Sequence, residues 1–313
     1  MSKVVVLGSI NMDVSIESDR MPLEGETLSG DNLLINAGGK GANQAVASAR
    51  AGVHTHLIGC VGTDSFGKEL RASLAQSGVD IQEVTTATST TGMAIVLRSH
   101  GNNRIIINHG ANEFVTPEFA RAALLRVAQP HDIFLTQFES PAQAVESSIE
   151  FAHAHDMITV VNPSPVRSIK PSLYKSIDIL CLNETECMSL FDINPTMDAP
   201  TMCALTKVLQ LGMKTLVVTL GAAGCLLVSN KHQLFAPAYA VKALDSTGAG
   251  DTFVGAMSAC LAKGARTEQA IAFAQAAAAL STTRVGAQVS IPTCEEVEAF
   301  QIQHKVNEPI SCV

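Results

Sequence analysis

Short runs of apolar, largely β-branched residues alternate along the chain with longer segments that repeat at helical spacing. Val4–Leu7, 55–61, Ile133–Thr136, Ile158–Val161, 177–182 and Thr215–Thr219 are such runs, each bounded by Gly, Pro, Asn or Asp. Continuous apolar runs of this length predict strands buried on both faces. Helix candidates lie between them near 42–51, 68–77, 117–128 and 141–155. Thr116-Pro117-Glu118 supplies an N-cap, a proline at the first helical position and an acid in the first turn. This alternation predicts βαβ units and an α/β fold, a doubly wound and mostly parallel sheet flanked by helices.

Two regions break the pattern. Segments 92–98 and 104–108 are strand-like and joined by His100-Gly101-Asn102-Asn103, which reads as a hairpin. Segment 14–36 has no helical repeat and carries the turn signals Met21-Pro22 and Glu24-Gly25. Together they are expected to form a small second sheet outside the main one, spanning about 14–36 and 92–108. No repeat, low-complexity tract or linker divides the sequence, so 1–313 reads as a single domain. Residues 304–313 are expected to fray.

Composition narrows the functional classes. The 313 residues carry 21 Lys+Arg against 29 Asp+Glu, a net charge of −8, which argues against affinity gained by neutralising nucleic-acid phosphates. With no Trp and 2 Tyr, a base-stacking surface is also disfavoured. The longest apolar candidate for a membrane span, 269–283, is Ala-rich, ends at Arg284 and falls short of about 18–20 residues. Val4-Val5-Val6-Leu7 followed by Asn11 and Asp13 reads as a strand and not as a signal segment. Of the 8 cysteines, Cys60, Cys181, Cys225 and Cys260 sit inside apolar segments and no CxxC pair occurs. Buried thiols in a reducing compartment follow, hence a soluble cytoplasmic protein without a nucleic-acid or membrane partner.

In an open parallel sheet, ligands bind beyond the carboxyl ends of the strands. The loops expected there carry amides, carboxylates and glycines: Gly8-Ser9-Ile10-Asn11-Met12-Asp13, Gln137-Phe138-Glu139-Ser140-Pro141, Asn162-Pro163-Ser164-Pro165, Asn183-Glu184-Thr185-Glu186 and Gly221-Ala222-Ala223-Gly224. Thr247-Gly248-Ala249-Gly250-Asp251-Thr252 leads into an apolar helix over 253–262. Three small residues before a helix let backbone N–H groups approach an anion. Asp251 beside that anion makes sense as a proton acceptor for an attacking hydroxyl, or else stabilises the helix N-terminus. Gly38-Gly39-Lys40-Gly41-Ala42-Asn43-Gln44 opens another helix, either as a ligand loop or as a tight turn with an exposed lysine. Asn11 and Asp13 fit a ligand site or an Asx-type turn.

Competing signals are weaker. Gly62-Thr63-Asp64-Ser65-Phe66-Gly67-Lys68-Glu69 nearly spells a phosphate-binding P-loop, but Glu69 replaces the Mg²⁺-binding hydroxyl and would repel phosphates. His54 and His56 share a strand face without a third ligand nearby in sequence, and His153 and His155 point apart on a helix. The run Ala276–Ala279 suggests close helix packing before any ligand contact. No GxSxG element and no GxGxxG after the first strand occur, against a hydrolase triad and an NAD-linked enzyme.

Taken together, the loops resemble the ribokinase family of PfkB-type carbohydrate kinases. The resemblance runs from Gly8-Ser9-Ile10-Asn11-Met12-Asp13 to Gly286-Ala287-Gln288-Val289-Ser290. Its most specific parts are the Gly38–Gln44 and Asp245–Phe253 motifs, in order and about 200 residues apart. It implies a ribokinase-like fold with a β lid over the sugar and a homodimer paired through two lids. By position it implies that Asn11, Asp13, Gly39, Lys40, Asn43 and Glu139 hold pentose hydroxyls, and that Asp251 is the base. Gly248, Ala249 and Gly250 match the anion hole. Asn183 and Glu186 match an element tied to nucleotide and Mg²⁺, and Thr219, Gly221 and Gly224 match the nucleotide loop. Asp245, Thr247, Ser281, Arg284, Gly286 and Ser290 match a monovalent-cation (K⁺) site, mostly through carbonyls.

Gln275 stands where relatives often have a His near the adenine, Ser246 where Thr is usual and Ser281 where Ala is usual. The implied reaction is in-line transfer of the ATP γ-phosphoryl group to the C5 hydroxyl of D-ribose. Asn11 leans toward a sugar with a full set of hydroxyls, since relatives preferring deoxyribose tend to lack this amide. The rivals are a kinase for 2-deoxyribose, another pentose or a nucleoside, and a non-catalytic sugar-binding regulator. Neither Tyr174 nor Tyr239 falls in the lid segments, which disfavours a nucleoside base there.

Overall fold

The computed structural model describes residues 2–100, 102–304 and 310–311. In chain order the first half forms β1 (Val4–Leu7), β2 (Asn11–Glu17), β3 (Asp31–Gly38), α1 (Lys40–Arg50), β4 (Thr55–Gly62), α2 (Ser65–Gln76), β5 (Val79–Asp80), β6 (Val84–Ala87), β7 (Gly92–Ser99) and β8 (Asn102–Asn108). Then come α3 (Pro117–Val127), β9 (Ile133–Thr136), α4 (Ala142–Ala154), β10 (Ile158–Val161), β11 (Ile179–Asn183), α5 (Glu184–Phe191) and α6 (Ala199–Val208). The rest is β12 (Thr215–Thr219), β13 (Gly224–Ser229), β14 (Gln233–Pro237), α7 (Ala249–Ala262), α8 (Thr267–Thr282), α9 (Cys294–Gln303) and β15 (Ile310–Ser311).

The main sheet runs β15-β14-β13-β12-β11-β10-β9-β1-β4-β5, with β6 also on β4. Pairing is parallel from β12 to β5 and antiparallel from β12 through β15. β1 lies between β4 and β9, so consecutive crossovers leave it in opposite directions and open a crevice beyond its carboxyl end.

The Val-Val-Val-Leu run of β1 is buried because both faces are covered. Val4 and Val6 enter a core with residues of α1, α7 and α8, while Val5 and Leu7 enter a second core with residues of α3 and α4. The lid is a separate sheet, β3-β2-β7-β8, and it begins earlier than the expected 14 because β2 starts at Asn11. The expected hairpin joins β7 to β8 in antiparallel register, with Gly101 outside the described residues.

Several expectations need correction. β11 begins at Ile179, since 171–176 form a 3₁₀ turn that Ile177 ends. α2 starts at Ser65: Asp64 caps it, accepting from Gly67 N (2.9 Å), and also accepts from Thr91 N (2.7 Å). A carboxylate thus occupies the place a P-loop phosphate would take. Of the tail expected to fray, Ile310 and Ser311 pair with Phe235 and Leu234, and 305–309 and 312–313 lie outside the described residues. Among the described residues no helix is long and apolar enough to cross a membrane.

Candidate active site

The loop after β1 and the entry of α1 are knitted together. Gly39 caps α1 at φ +88°, where a Cβ would lie 2.7 Å from Asn11 N and 2.8 Å from Ser9 O, so only glycine fits. Ser9 Oγ donates to Glu139 Oε2 (2.5 Å), and Lys40 N donates to the same oxygen (3.2 Å). Glu139, in the loop that follows β9, is thereby tied to both loops.

Asn11 is buried and its amide has a defined orientation. Ile10 N, an obligate donor, donates to Asn112 Oδ1 (2.9 Å), which makes Asn112 Nδ2 the donor to Asn11 Oδ1 (2.8 Å). Asn11 Nδ2 is therefore left for the cleft that Asn11 lines. Asn112 lies in the 3₁₀ turn Gly110–Phe114 and no motif marks it.

Asp251, buried in the first turn of α7, has both oxygens occupied. Asn43 Nδ2 donates to Oδ2 (2.9 Å) and Gln44 Nε2 to Oδ1 (3.0 Å). Gln44 is oriented in turn, accepting from Gln137 Nε2 (2.6 Å) and also donating to Asn162 Oδ1 (3.1 Å). Asn162 donates to Cys181 O (3.0 Å). Gln44, Gln137 and Asn162 stood in the loops noted from sequence, but without a role. Gly248 caps α7 in the left-handed region at φ +75°. Ala249 N donates to Ser246 O (3.2 Å), whereas the amides of Gly250 and Asp251 have no acceptor inside the helix.

Three cavities meet at this point. A cleft of ≈ 750 Å³ under the lid is lined by Asn11, Asp13, Gly39, Lys40, Asn43, Glu139 and Asp251. A second, of ≈ 230 Å³, is lined by Lys40, Asn183, Glu186, Thr219, Gly248, Gly250 and Asp251. A third, ≈ 360 Å³ and mostly apolar, is bounded by Thr219, Gly221, Gly224, Tyr239, Ala249, Gly250, Phe253 and Gln275. Lys40, Gly248 and Asp251 belong to the first two, and Thr219 and Gly250 to the last two. Ala276 and Ala277 pack in the core, as close helix packing predicts, while Ala278 and Ala279 line the apolar cavity.

Charge is concentrated in the cleft. Burial, with Glu139 and Asp251 nearby, pushes the Asp13 carboxyl up to about 7, against a smaller opposing pull from Lys40. Burial would lower the Lys40 ammonium, but Asp251, Glu139, Glu186 and Asp13 outweigh it and hold its pKa above the ordinary value.

Other predicted residues divide. Asn183 and Glu186 form a capping box on α5, Asn183 N donating to Glu186 Oε2 (2.9 Å) and Glu186 N to Asn183 Oδ1 (2.8 Å). Gln275 Nε2 donates to Ala236 O (2.7 Å) beside the apolar cavity. Asp245 accepts from Thr247 N (2.9 Å) and Gly286 N (2.9 Å), joining three of the six predicted cation-site residues. Burial would raise the Asp245 pKa, but the hydrogen bonds from Thr247 and Gly286 outweigh it and lower it. Ser281 and Ser290 turn their hydroxyls onto Ala278 O and Ala287 O, and Arg284 pairs with Glu296 (2.6 Å). Their side chains are thus engaged elsewhere, leaving carbonyls as the atoms they have to offer. His155 contacts Phe151 O (2.7 Å) and stacks on the Phe151 ring, a structural role.

The model of the pfkB family carbohydrate kinases matches residues 1–294. The chain belongs to that family. A ribokinase from Haemophilus influenzae is 37% identical over 299 residues, covering 95% of this chain and 97% of the relative. The crystal structure of ribokinase from Thermotoga maritima superposes with a TM-score of 0.87 at 34% identity, covering 96% of this chain and 100% of that one. The Arabidopsis thaliana ribokinase, complexed with ribose and ATP, gives 0.86 at 32%, with 96% and 99% covered. The kinase therefore has the ribokinase-like fold, and the expected α/β architecture and enzyme class hold.

Proposed function

We propose that this kinase is a ribokinase, transferring the γ-phosphoryl group of ATP to the C5 hydroxyl of D-ribose. The observation that carries this reading is the position of Asp251, at the junction of the cleft under the lid and the second cavity, which adjoins the apolar one at Thr219 and Gly250. Full-length similarity to ribokinases, one of them complexed with ribose and ATP, supports the substrates.

In this reading Asn11, Asp13, Lys40, Asn43 and Glu139 hold the sugar hydroxyls, with Gly39 admitting them by its close backbone. Asp251, fixed by Asn43 and Gln44, accepts the C5 hydroxyl proton as the oxygen attacks phosphorus. The free amides at the start of α7, after Gly248, receive charge from the transferring group, and Lys40 adds a held positive charge. Ala249 contributes mainly by shaping this turn, since its own amide is engaged. The adenine lies in the apolar cavity beside Gly221, Gly224 and Gln275, with Thr219 at its edge.

Asn183 and Glu186 border the phosphate region with carboxylate and amide oxygens, a donor set suited to Mg²⁺ or its water shell. Mg²⁺ when bound neutralises phosphate charge. K⁺ would be held by oxygens of Asp245, Thr247, Ser281, Arg284, Gly286 and Ser290, and would order the loop leading to α7. We read the α/β body and lid as one catalytic unit of the cytoplasm, its thiols reduced, with Cys60, Cys181, Cys187 and Cys225 buried and Cys260, expected to be buried, only partly so. Val14, Ile35, Ile95 and Ile106 form one cross-strand row on the lid face away from the cleft, which supports a homodimer through lids.

The test is ADP release with Mg²⁺-ATP across ribose, 2-deoxyribose, fructose, ribitol and nucleosides, in K⁺ or Na⁺. Ribose-dominated turnover stimulated by K⁺ is expected. Preference for another sugar would overturn the substrate assignment while leaving the kinase chemistry.

A further inference from the structure

β5 is only two residues long and closes the main sheet beside β4, in parallel register that sets Asp80 opposite His56. That pairing supplies the third group that the His54/His56 spacing lacked in sequence. Asp80 Oδ2 lies 3.5 Å from His54 Nε2 and 3.3 Å from His56 Nδ1. The ligand atoms of the three side chains all fall within 4.8 Å of one another. Tetrahedral zinc with bonds of about 2.0–2.1 Å separates its ligand atoms by about 3.3–3.4 Å, matching both contacts.

His56 is buried, and its Nδ1 makes no directed hydrogen bond although a carboxylate oxygen faces it at 3.3 Å. A buried imidazole nitrogen beside a carboxylate oxygen without a hydrogen bond between them leaves both lone pairs available to a shared cation. His54 is exposed and gives an entry path from solvent. The nearby Lys3 ammonium is compensated by Asp132 at 3.4 Å. The cluster sits at the amino end of β4, while the kinase site lies beyond the carboxyl ends of the strands.

We propose that His54, His56 and Asp80 form a binding site for a divalent transition metal, zinc by donor set, that clamps the edge strand β5 to β4. Two imidazoles and one carboxylate are borderline ligands that favour zinc-class ions over Mg²⁺ or Ca²⁺. The fourth position is open to water. The metal takes no part in phosphoryl transfer.

The experiment is titration of chelator-stripped full-length protein with ZnCl₂ in excess Mg²⁺, by calorimetry and by thermal unfolding. Wild type is compared with His54→Gln and with Asp80→Asn. The proposal expects one zinc per chain that both variants lose or bind at least tenfold more weakly. It also expects a zinc-dependent rise of a few degrees in the thermal midpoint of wild type alone. Zinc-free turnover of His54→Gln stays at the wild-type value. The proposal is overturned if wild type and both variants bind zinc alike, as cysteine-bound zinc would, or if none of them binds it.

Discussion

Asp251 and Asp13 share one cleft yet are poised differently. Asp251 has an amide donor on each oxygen, whereas Asp13 faces two other carboxylates across buried space. With its pKa raised to about 7, Asp13 is protonated below neutrality and then loses acceptor capacity toward sugar hydroxyls. Ribose affinity should therefore fall about tenfold per pH unit below 7, an effect that Asp13→Asn abolishes along with tight binding. The sign for stability is opposite: a carboxylate whose pKa is raised from 3.8 to about 7 on folding costs stability as pH rises between those values, the loss being complete above 7. Asp13→Asn should thus raise stability at pH 8 by on the order of 1–2 kcal/mol in chemical denaturation, allowing for screening. A pH-independent ribose affinity from 6 to 8 would refute the role. Asn112 is a positioning residue for Asn11. Asn112→Asp keeps the acceptor for Ile10 N but removes the donor to Asn11. It should raise the KM for ribose about tenfold with kcat little changed, by steady-state kinetics. A fall in kcat with unchanged KM would contradict this. Asp251, Asn43 and Lys40 were legible because each stands in a short glycine-rich motif. Asn112 was not, because it meets Asn11 across 101 residues of chain with no local pattern.

At the scale of elements, the buried parallel strands were legible because an unbroken apolar run needs cover on both faces, as β1 has. β5 and the β13–β14 hairpin were not. β5 exists only through its pairing with β4, and the Leu-rich run of β13 fits a buried helix turn as well as a strand. The start of α7 separates packing from chemistry. A Cβ on Gly250 would meet nothing within 4 Å, so Gly250→Ala should fold with no loss in thermal midpoint. Its methyl would nonetheless project into the cavity that Gly250 lines with Asp251, where the proposed reading puts the transferring group. Turnover with saturating ribose should drop at least tenfold. Wild-type turnover by Gly250→Ala would place the anion elsewhere.

For the whole molecule, the two sheets divide the work: the main sheet presents its carboxyl ends, and the lid closes the cleft from above. The lid's outward row leaves Ile35, Ile95 and Ile106 50%, 41% and 65% exposed, much apolar surface for a four-stranded sheet in water. In the proposed lid-paired dimer, Ile106→Glu should shift the protein to monomer in sedimentation velocity and raise the KM for ribose. A wild-type monomer would refute the paired lids. The order of the loops around the sheet, and hence the convergence of distant motifs on Asp251, follows from topology that the strand alternation already implied. The most direct measurement is turnover of Asp251→Asn set beside its ribose affinity by calorimetry. A base at Asp251 predicts a loss of about 10²–10⁴-fold in kcat while ribose still binds. Turnover within tenfold of wild type, by a variant that folds and binds ribose, would contradict it.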